Sequence, residues 1–475
     1  MKIIKIVLVL LLISGVTIIS YFSLLKKQSD EVADSLSWAK TYGTQLAEHV
    51  TSIEQTNDSG YIMVGWTATA IPSPSNKQVF LDSFRVYKLK PNGKIDWQKT
   101  YLGAIDYGYV IHQTKDGGYI VAGQTNVYGP VGINVWIIKL NSNGKIEWQK
   151  IYGGVGDDGV YSIQQTSDSG YIVAGFTSCF GAGGKDFWVL KLNSDGLIAW
   201  QKTYGGTSDE IANSIVQTID GGYILTGWTM SFSDVDISKR MPDFWVLKLN
   251  SDGSVVWQKT YGGAGQEFVR TILQTKDDCY LVSGLTTSFG AGNGDMWLIK
   301  LNSDGTIRWQ KAYGGKGDDG ANSMQITNDG GCIVAGSTTS FGAGSYDVWL
   351  LKLNSDGMIE WQKTYGGAGG DWGISTQQTK DGGYIVAGES SSFESFSREE
   401  VSILSDAWVL KLKKDGTIKF NVASKAITTD TTITPTDTNA TIINTTAQCS
   451  DTNVTPKDTN VVPSKSKATI NTQSE

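Results

Sequence analysis

The stretch VYSIQQTSDSGYIVAGFTSCFGAGGKDFWVLKLNSDGLIAWQKTYGG, residues 160–206, decides the fold. It parses into four runs rich in β-branched and aromatic residues, SIQQT, YIVAGFT, DFWVLKL and LIAWQKTYG, which we label strands a, b, c and d. Clusters of Gly, Asp, Asn and Ser separate them, as between short strands. The a–b connection is SDSG and the c–d connection NSDG, and short Asp/Asn-Gly turns supply the positive φ that a tight hairpin needs. One unit is therefore an antiparallel four-stranded meander.

The unit recurs. Trp38, Trp97, Trp148, Trp200, Trp257, Trp309 and Trp361 mark strand d, with Phe420 in the eighth slot, at steps of about 51 to 59 residues. Units of four short strands at that period, with no helix signal between them, read as propeller blades that bury their faces only against neighbours. Strands a, b and c occur seven times, and strand d eight times if SWAKTYG at 37–43 is included. The expected architecture is all-β: a seven-bladed β-propeller of four-stranded antiparallel blades over residues 30–424. Its units fall at about 44–102, 103–153, 154–205, 206–262, 263–314, 315–366 and 367–424, with 37–43 as a closing strand. Both 37–43 and IKFNVAS at 418–424 could be the outer strand of the last blade, and the sequence leaves the two open.

The two ends differ from the body. Lys2 and Lys5 precede an uncharged run from Ile6 to Leu25, and about 20 residues in a helix span a hydrocarbon core of about 30 Å. With no A-x-A-like site after it, residues 1–29 read as an uncleaved transmembrane anchor, with secretion following if the segment is cleaved. The Gly- and Thr-rich body is expected on the extracytoplasmic side of a single-pass cell-membrane protein. Residues 425–475 are biased to Thr, Ser, Asn and Pro and have little to bury, so they read as a disordered tail. Three sequons begin there, at Asn439, Asn444 and Asn453.

Within a blade, the strand c tryptophans (Trp136, Trp188, Trp245, Trp297, Trp349, Trp408) read as packing between blades. The strand c lysines (Lys88, Lys139, Lys191, Lys248, Lys300, Lys352, Lys411) read as structural, their stems along an aromatic and their ammonium groups on water or an acid. In a meander propeller the a–b and c–d turns lie on one face and the b–c and d–a loops on the other. The first set is nearly invariant from unit to unit; the second varies, and loops on a rigid scaffold carry function. The b–c loop is usually SFGAGxxD, but insertions occur at 67–83, 229–243 and 389–406. The binding face is therefore expected to use Asp209, Glu210, Asp234, Asp236, Lys239, Arg240, Arg398, Glu399 and Glu400.

The d–a loops on that face also carry Asp157, Asp158, Asp318, Asp319 and Asp371, weak candidates for a Ca²⁺ site between neighbouring GDD loops. No other cofactor is expected. A formal net charge of −7 favours cations or basic partners and excludes a nucleic-acid partner as the natural reading. Enzyme signatures are missing: His49 and His112 are the only histidines, and neither H-E-x-x-H nor G-x-S-x-G occurs. Matches to G-x-G-x-x-G, such as Gly315, Gly317 and Gly320, precede a strand, whereas phosphate binding needs a helix N-terminus there. The four cysteines show no C-x-x-C spacing and read as unpaired.

The repeat DGGYIVAGxTxSFGAGxxDxWLLKLNSDGxIxWQKTYGG resembles that of bacterial and archaeal cell-surface or secreted β-propeller proteins, most of them without a known activity. The resemblance spans about 37–424 and implies an extracytoplasmic propeller without naming a ligand. DGxIxW is also similar to a motif of pyrroloquinoline-quinone dehydrogenases, but their vicinal cysteine pair is missing. The Asp box of sialidases fails on spacing, since Asp304 and Gly305 are adjacent. The expected function is that of a monomeric, membrane-tethered binding or scaffold module for a protein or a cell-envelope glycan, and not an enzyme. The alternatives are a purely structural envelope spacer and a polysaccharide-acting hydrolase or lyase using Arg240 or Arg398.

Overall fold

Seven separate sheets account for the repeat. The computed structural model describes residues 37–42, 47–71, 79–102, 106–126, 131–232, 241–393 and 405–418, together with 427–430, 436–437, 441–444 and 469–472. Blade 1 is Glu48–Gln55, Tyr61–Ile71, Val79–Leu89 and Ile95–Leu102; blade 2 is Asp106–Gln113, Tyr119–Thr125, Asn134–Leu140 and Ile146–Tyr152. Blade 3 is Asp158–Gln165, Tyr171–Thr177, Asp186–Leu192 and Ile198–Tyr204; blade 4 is Glu210–Gln217, Tyr223–Thr229, Asp243–Leu249 and Val255–Gly262. Blade 5 is Glu267–Gln274, Tyr280–Thr286, Asp295–Leu301 and Ile307–Tyr313; blade 6 is Asp319–Ile326, Cys332–Thr338, Asp347–Leu353 and Ile359–Gly366.

Blade 7 is completed from the other end of the chain. Asp371–Gln378, Tyr384–Ser390 and Asp406–Leu412 supply strands a to c, and Trp38–Tyr42 pairs as the outer strand, from Trp38 opposite Lys411 to Tyr42 opposite Ala407. Of the two candidates for this place, 37–43 therefore fills it; residues 419–424 lie outside the described residues. The physical reason is legible in the side chains, because 37–43 keeps the Trp and Tyr of the other d strands and 418–424 has neither.

Those two side chains bind each blade to the next. In all seven junctions the strand d tyrosine hydroxyl donates to a glycine carbonyl in the following blade's c–d turn. The pairs are Tyr42 to Gly93, Tyr101 to Gly144, Tyr152 to Gly196, Tyr204 to Gly253, Tyr261 to Gly305, Tyr313 to Gly357 and Tyr365 to Gly416, at 2.6 to 2.9 Å. The same glycines have positive φ, for example 73° at Gly196, and a Cβ there would meet the ring of Trp148 at 2.8 Å. Glycine is thus required twice, by the turn and by the ring beneath it.

Both faces of strands b and c are buried, since each blade is covered on each side by a neighbour. Clusters of core residues span adjacent blades: Val135 and Ile137 of blade 2 pack with Val160, Ile163 and Trp188 of blade 3. The strand c tryptophans are 0 to 2 % exposed, which places them in the core as the sequence suggests. Their lysine neighbours are equally well accounted for. Lys88, Lys139, Lys191, Lys248, Lys300, Lys352 and Lys411 each reach an a–b turn aspartate of the same blade at 2.8 to 3.0 Å. Against the opposing effect of burial, hydrogen bonds from the lysine, a threonine and a backbone N–H hold Asp58, Asp168 and Asp220 at about 2.

The C-terminal region departs from expectation. Ile427–Asp430, Thr436–Asp437, Thr441–Asn444 and Thr469–Thr472 pair antiparallel with the outer strands of blades 6, 5, 4 and 1. Outer d strands present unpaired N–H and C=O groups, and runs such as TIIN have the β-propensity to use them. Among the described residues no helix is long and apolar enough to cross a membrane, and the run 6–25 lies outside them.

Two outcomes follow for stability. The lysine–aspartate pairs stabilise the fold above the unfolded aspartate pKa of about 3.9 and lose that contribution as pH falls toward 2; thermal melts should show a midpoint that drops steadily from pH 5 to pH 2. Tyr204→Phe, which leaves the Gly253 carbonyl buried without its donor, should cost about 1 kcal/mol in denaturant unfolding.

Candidate functional site

Every strand a begins at the face carrying the b–c and d–a loops and runs inward along the axis of the ring. Its position there follows from hydrogen bonding: each d–a crossover lies between the b–c loops of two blades. The Asp158 N–H donates to the Ile133 carbonyl of blade 2 at 2.7 Å, and the Ser178 N–H of blade 3 donates to the Asp157 carbonyl at 2.9 Å.

This crossover separates the adjacent acids proposed for Ca²⁺. Asp157 and Asp318 are exposed on the loops. Asp158, Asp319 and Asp371 are 0 % exposed and turned inward. Asp158 accepts from the Gly154 N–H at 2.8 Å, Asp319 from Gly315 at 2.6 Å and Asp371 from Gly367 at 2.9 Å. Hydroxyls of Thr338 and Ser340 also hold Asp319, and those of Ser390 and Ser392 hold Asp371. Their local role is to tie the loop to strand b of the same blade, and among the described residues no three Asp, Glu, His or Cys side chains converge as a metal would need.

Of the nine binding-face candidates, two fall within the described residues. Asp209 is half-buried and accepts from the Lys185 N–H at 2.9 Å, while Glu210 is 0 % exposed and accepts from Gly206, Thr229 and Ser231. Asp234, Asp236, Lys239, Arg240, Arg398, Glu399 and Glu400 lie outside the described residues. Cys179, Cys279 and Cys332 are free thiols.

Glu210 has a buried neighbour of like charge. The first residue of strand c in one blade meets the first of strand a in the next, and a Cβ on Gly205 would touch both Asp186 and Glu210. Asp243 and Glu267, Asp295 and Asp319, and Asp347 and Asp371 repeat the arrangement. Burial, and then the charges of Glu210 and Asp209, push Asp186 up to about 7 against the N–H groups of Gly183 and Ala182.

The open part of this face is the mouth of the central channel. Along strand a, positions 1, 3 and 6 are buried, whereas the side chains at positions 2 and 4 are partly accessible. Positions 2 and 4, with the strand b partner of position 2, bring aromatic rings to the mouth. His49 stacks on Trp66 at 3.6 Å, Trp66 meets Tyr107 edge-on at 5.2 Å, and Tyr107 lies 6.4 Å from Tyr109. Tyr109 contacts Tyr161 at 5.4 Å, and Tyr161 lies 6.2 Å from Phe176, over which the Lys185 ammonium sits at 4.4 Å. This unbroken chain of rings spans blades 1 to 3. Shorter pairs, Trp228 with Phe268 and Tyr346 with Trp372, continue it. Between the ends of the circle, the His49 Nδ1 pairs with the Glu389 carboxylate at 2.8 Å. The arrangement offers flat apolar surfaces with a few fixed polar groups, the composition of a small-ligand site.

Sequence reasoning looked to the inserted loops and missed these residues. A signal existed: strand a reads EHVTSIEQ, DYGYVIHQ, DGVYSIQQ, EIANSIVQ, EFVRTILQ, DGANSMQI and DWGISTQQ. Positions 2 and 4 change from unit to unit while strands b, c and d hardly vary, so framework packing does not dictate them.

Asp186→Asn tests the buried acid pairs. Because the folded pKa of Asp186 is raised, its contribution to stability is fully present below about 4 and lost as pH rises through 7. The asparagine variant, which copies Asn134 of blade 2, should match or exceed the parent's melting temperature at pH 8 and show a flatter profile between pH 5 and 8.

Residues 327–360, from the end of strand a to the start of strand d in blade 6, match the family described as "Domain of unknown function (DUF5122) beta-propeller". No curated protein matches the chain. Among solved structures, "Tail fiber of Staphylococcus aureus phage P68" is similar at 9% identity over 74% of this chain and 90% of that one, with a TM-score of 0.24, a likeness too slight to argue from. The seven four-stranded blades make the fold a β-propeller, and the family match, itself to a propeller domain, falls within one of them.

Proposed function

We propose that the protein is a binding module of the cell surface, taking a cell-envelope glycan through the b–c/d–a face at the mouth of its channel. The observation that carries this reading is the chain of partly accessible rings from His49 and Trp66 through Tyr107 and Tyr109 to Tyr161, which ends against the buried ring of Phe176. Aromatic side chains in a propeller of this kind are otherwise consumed by packing; those at the mouth vary between blades and remain open on one side. Saccharide rings present C–H groups to the negative face of an aromatic ring, and amphipathic Tyr and Trp suit a surface that is half wet.

In this reading residues 6–25 anchor the chain, the propeller faces the outside of the membrane, and residues 425–475 act as a tail outside the ring. Binding needs no cofactor and no chemical step, so the chain works as a monomeric adaptor and not as a hydrolase or lyase. A protein partner would use the same face, through the loops at 229–243 and 389–406.

The test is glycan-array binding by the full chain in detergent micelles, with Trp66→Ala and Tyr107→Ala variants as comparison. We expect the parent to retain envelope polysaccharides and each variant to lose roughly tenfold in affinity, at an unchanged β-sheet spectrum. Undiminished binding by both variants would remove the aromatic mouth from the account.

A further inference from the structure

Arg270 occupies position 4 of strand a in blade 5 and is the only lysine or arginine in the seven innermost strands. Its side chain is exposed to the channel, and among the described residues it makes no hydrogen bond or ion pair. The two carboxylates on channel-facing strand positions are already matched, Glu54 by His112 at 2.8 Å and Glu389 by His49 at 2.8 Å. Arg270 and Tyr161 both occupy position 4 of their innermost strands, in blades 5 and 3, and the guanidinium favours the Tyr161 phenolate. Tyr161 is also a member of the aromatic chain. Among the described residues, a cation without a counterion therefore stands at the level of these rings.

We infer that the channel mouth recognises a glycan bearing a carboxylate, with the acid on Arg270 and the sugar rings on Tyr161, Tyr109 and Tyr107. This inference rests on the glycan-binding reading above and deepens it. A guanidinium presents a planar fork of donors that matches a carboxylate in two parallel bonds. Two features favour a glycan over an acidic peptide. An extended peptide would add to a strand edge, but the inner edge of strand a is occupied. The Ile53 N–H is held by Ser375 Oγ, Ile215 by Ser162, Ile272 by Ser214 and Thr376 by Ser323, at 3.1 to 3.2 Å. The rings of Tyr107, Tyr109 and Tyr161 also offer stacking faces that suit sugar rings and that an acidic peptide leaves unused.

The probes are trigalacturonate, its neutral methyl ester and tetraglutamate, titrated calorimetrically against the full chain and against Arg270→Gln and Arg270→Lys. We expect the acid to bind, the ester and the Gln variant each to lose roughly tenfold or more, and the Lys variant to fall between. Equal binding of acid and ester by parent and Gln variant would overturn the role of Arg270 while leaving the aromatic glycan site standing. Tetraglutamate bound through Arg270 without trigalacturonate would overturn the glycan assignment. No binding of any probe by chains whose arrays also stay blank would overturn both. Because Arg270 has no partner among the described residues, an unfolded Gln variant is not expected, and melting temperature checks this directly.

Discussion

Everything in this ring depends on how one blade is held to the next, because a four-stranded meander alone has two apolar faces and no way to bury either. The tyrosine hydroxyl at the end of strand d and the glycine carbonyl in the next c–d turn form that bond at every junction, the seventh being Tyr42 to Gly93. The contact joins three demands at one place: a carbonyl that must be satisfied when buried, a turn that needs positive φ, and an aromatic ring that fits only against glycine. Substituting any one of the three loosens the other two. Near-identity between units is thus a consequence of closing a ring with identical joints.

A second set of bonds lines the inside. Strand a has no sheet partner on its inner edge; serine hydroxyls of the preceding blade take up N–H groups there, and glutamine side chains of the following blade accept from the a–b turns. Ser375 serves Ile53, and Gln113, Gln165, Gln217, Gln274 and Gln378 serve the a–b turns of their neighbours. Blade 6 carries Ile326 in the corresponding place, so the circle of glutamines is open at one position. With its edge occupied and its core positions packed, strand a retains two free positions in each blade. Those are the positions at which the units differ and at which the aromatic chain and Arg270 appear.

The two faces of the disc carry charge differently. On the a–b/c–d face one a–b turn aspartate of every blade is paired with a lysine of the same blade. At the other face buried acids of adjacent blades confront one another, and burial together with the neighbouring charge raises Asp186 toward neutrality in protonation. That difference ties pH dependence to position: acid weakens one rim of the ring, and alkali the other.

The blade count, the strand order, the hairpin turns and the division of loops between faces were all legible in the sequence, because they follow from local rules: period, alternation and the φ preference of Asp-Gly and Asn-Gly turns. The lysine and tryptophan of strand c were likewise legible as structural. Ring closure by Trp38–Tyr42 was undecided, since two segments had strand character and only the fit of Trp38 and Tyr42 against blade 1 separates them. The acids of the d–a loops looked like one cluster in the sequence, yet strand a begins at Asp158, which turns into the core, while Asp157 stays exposed on the loop before it. The aromatic mouth was legible only as variation at positions 2 and 4 of strand a, because its members His49, Trp66, Tyr107 and Tyr161, with Arg270, are scattered over about 220 residues. The sequence by itself determined the blade, whose forces act within a few residues; only the tertiary structure decided the site, because it exists where seven inner strands are brought around one axis.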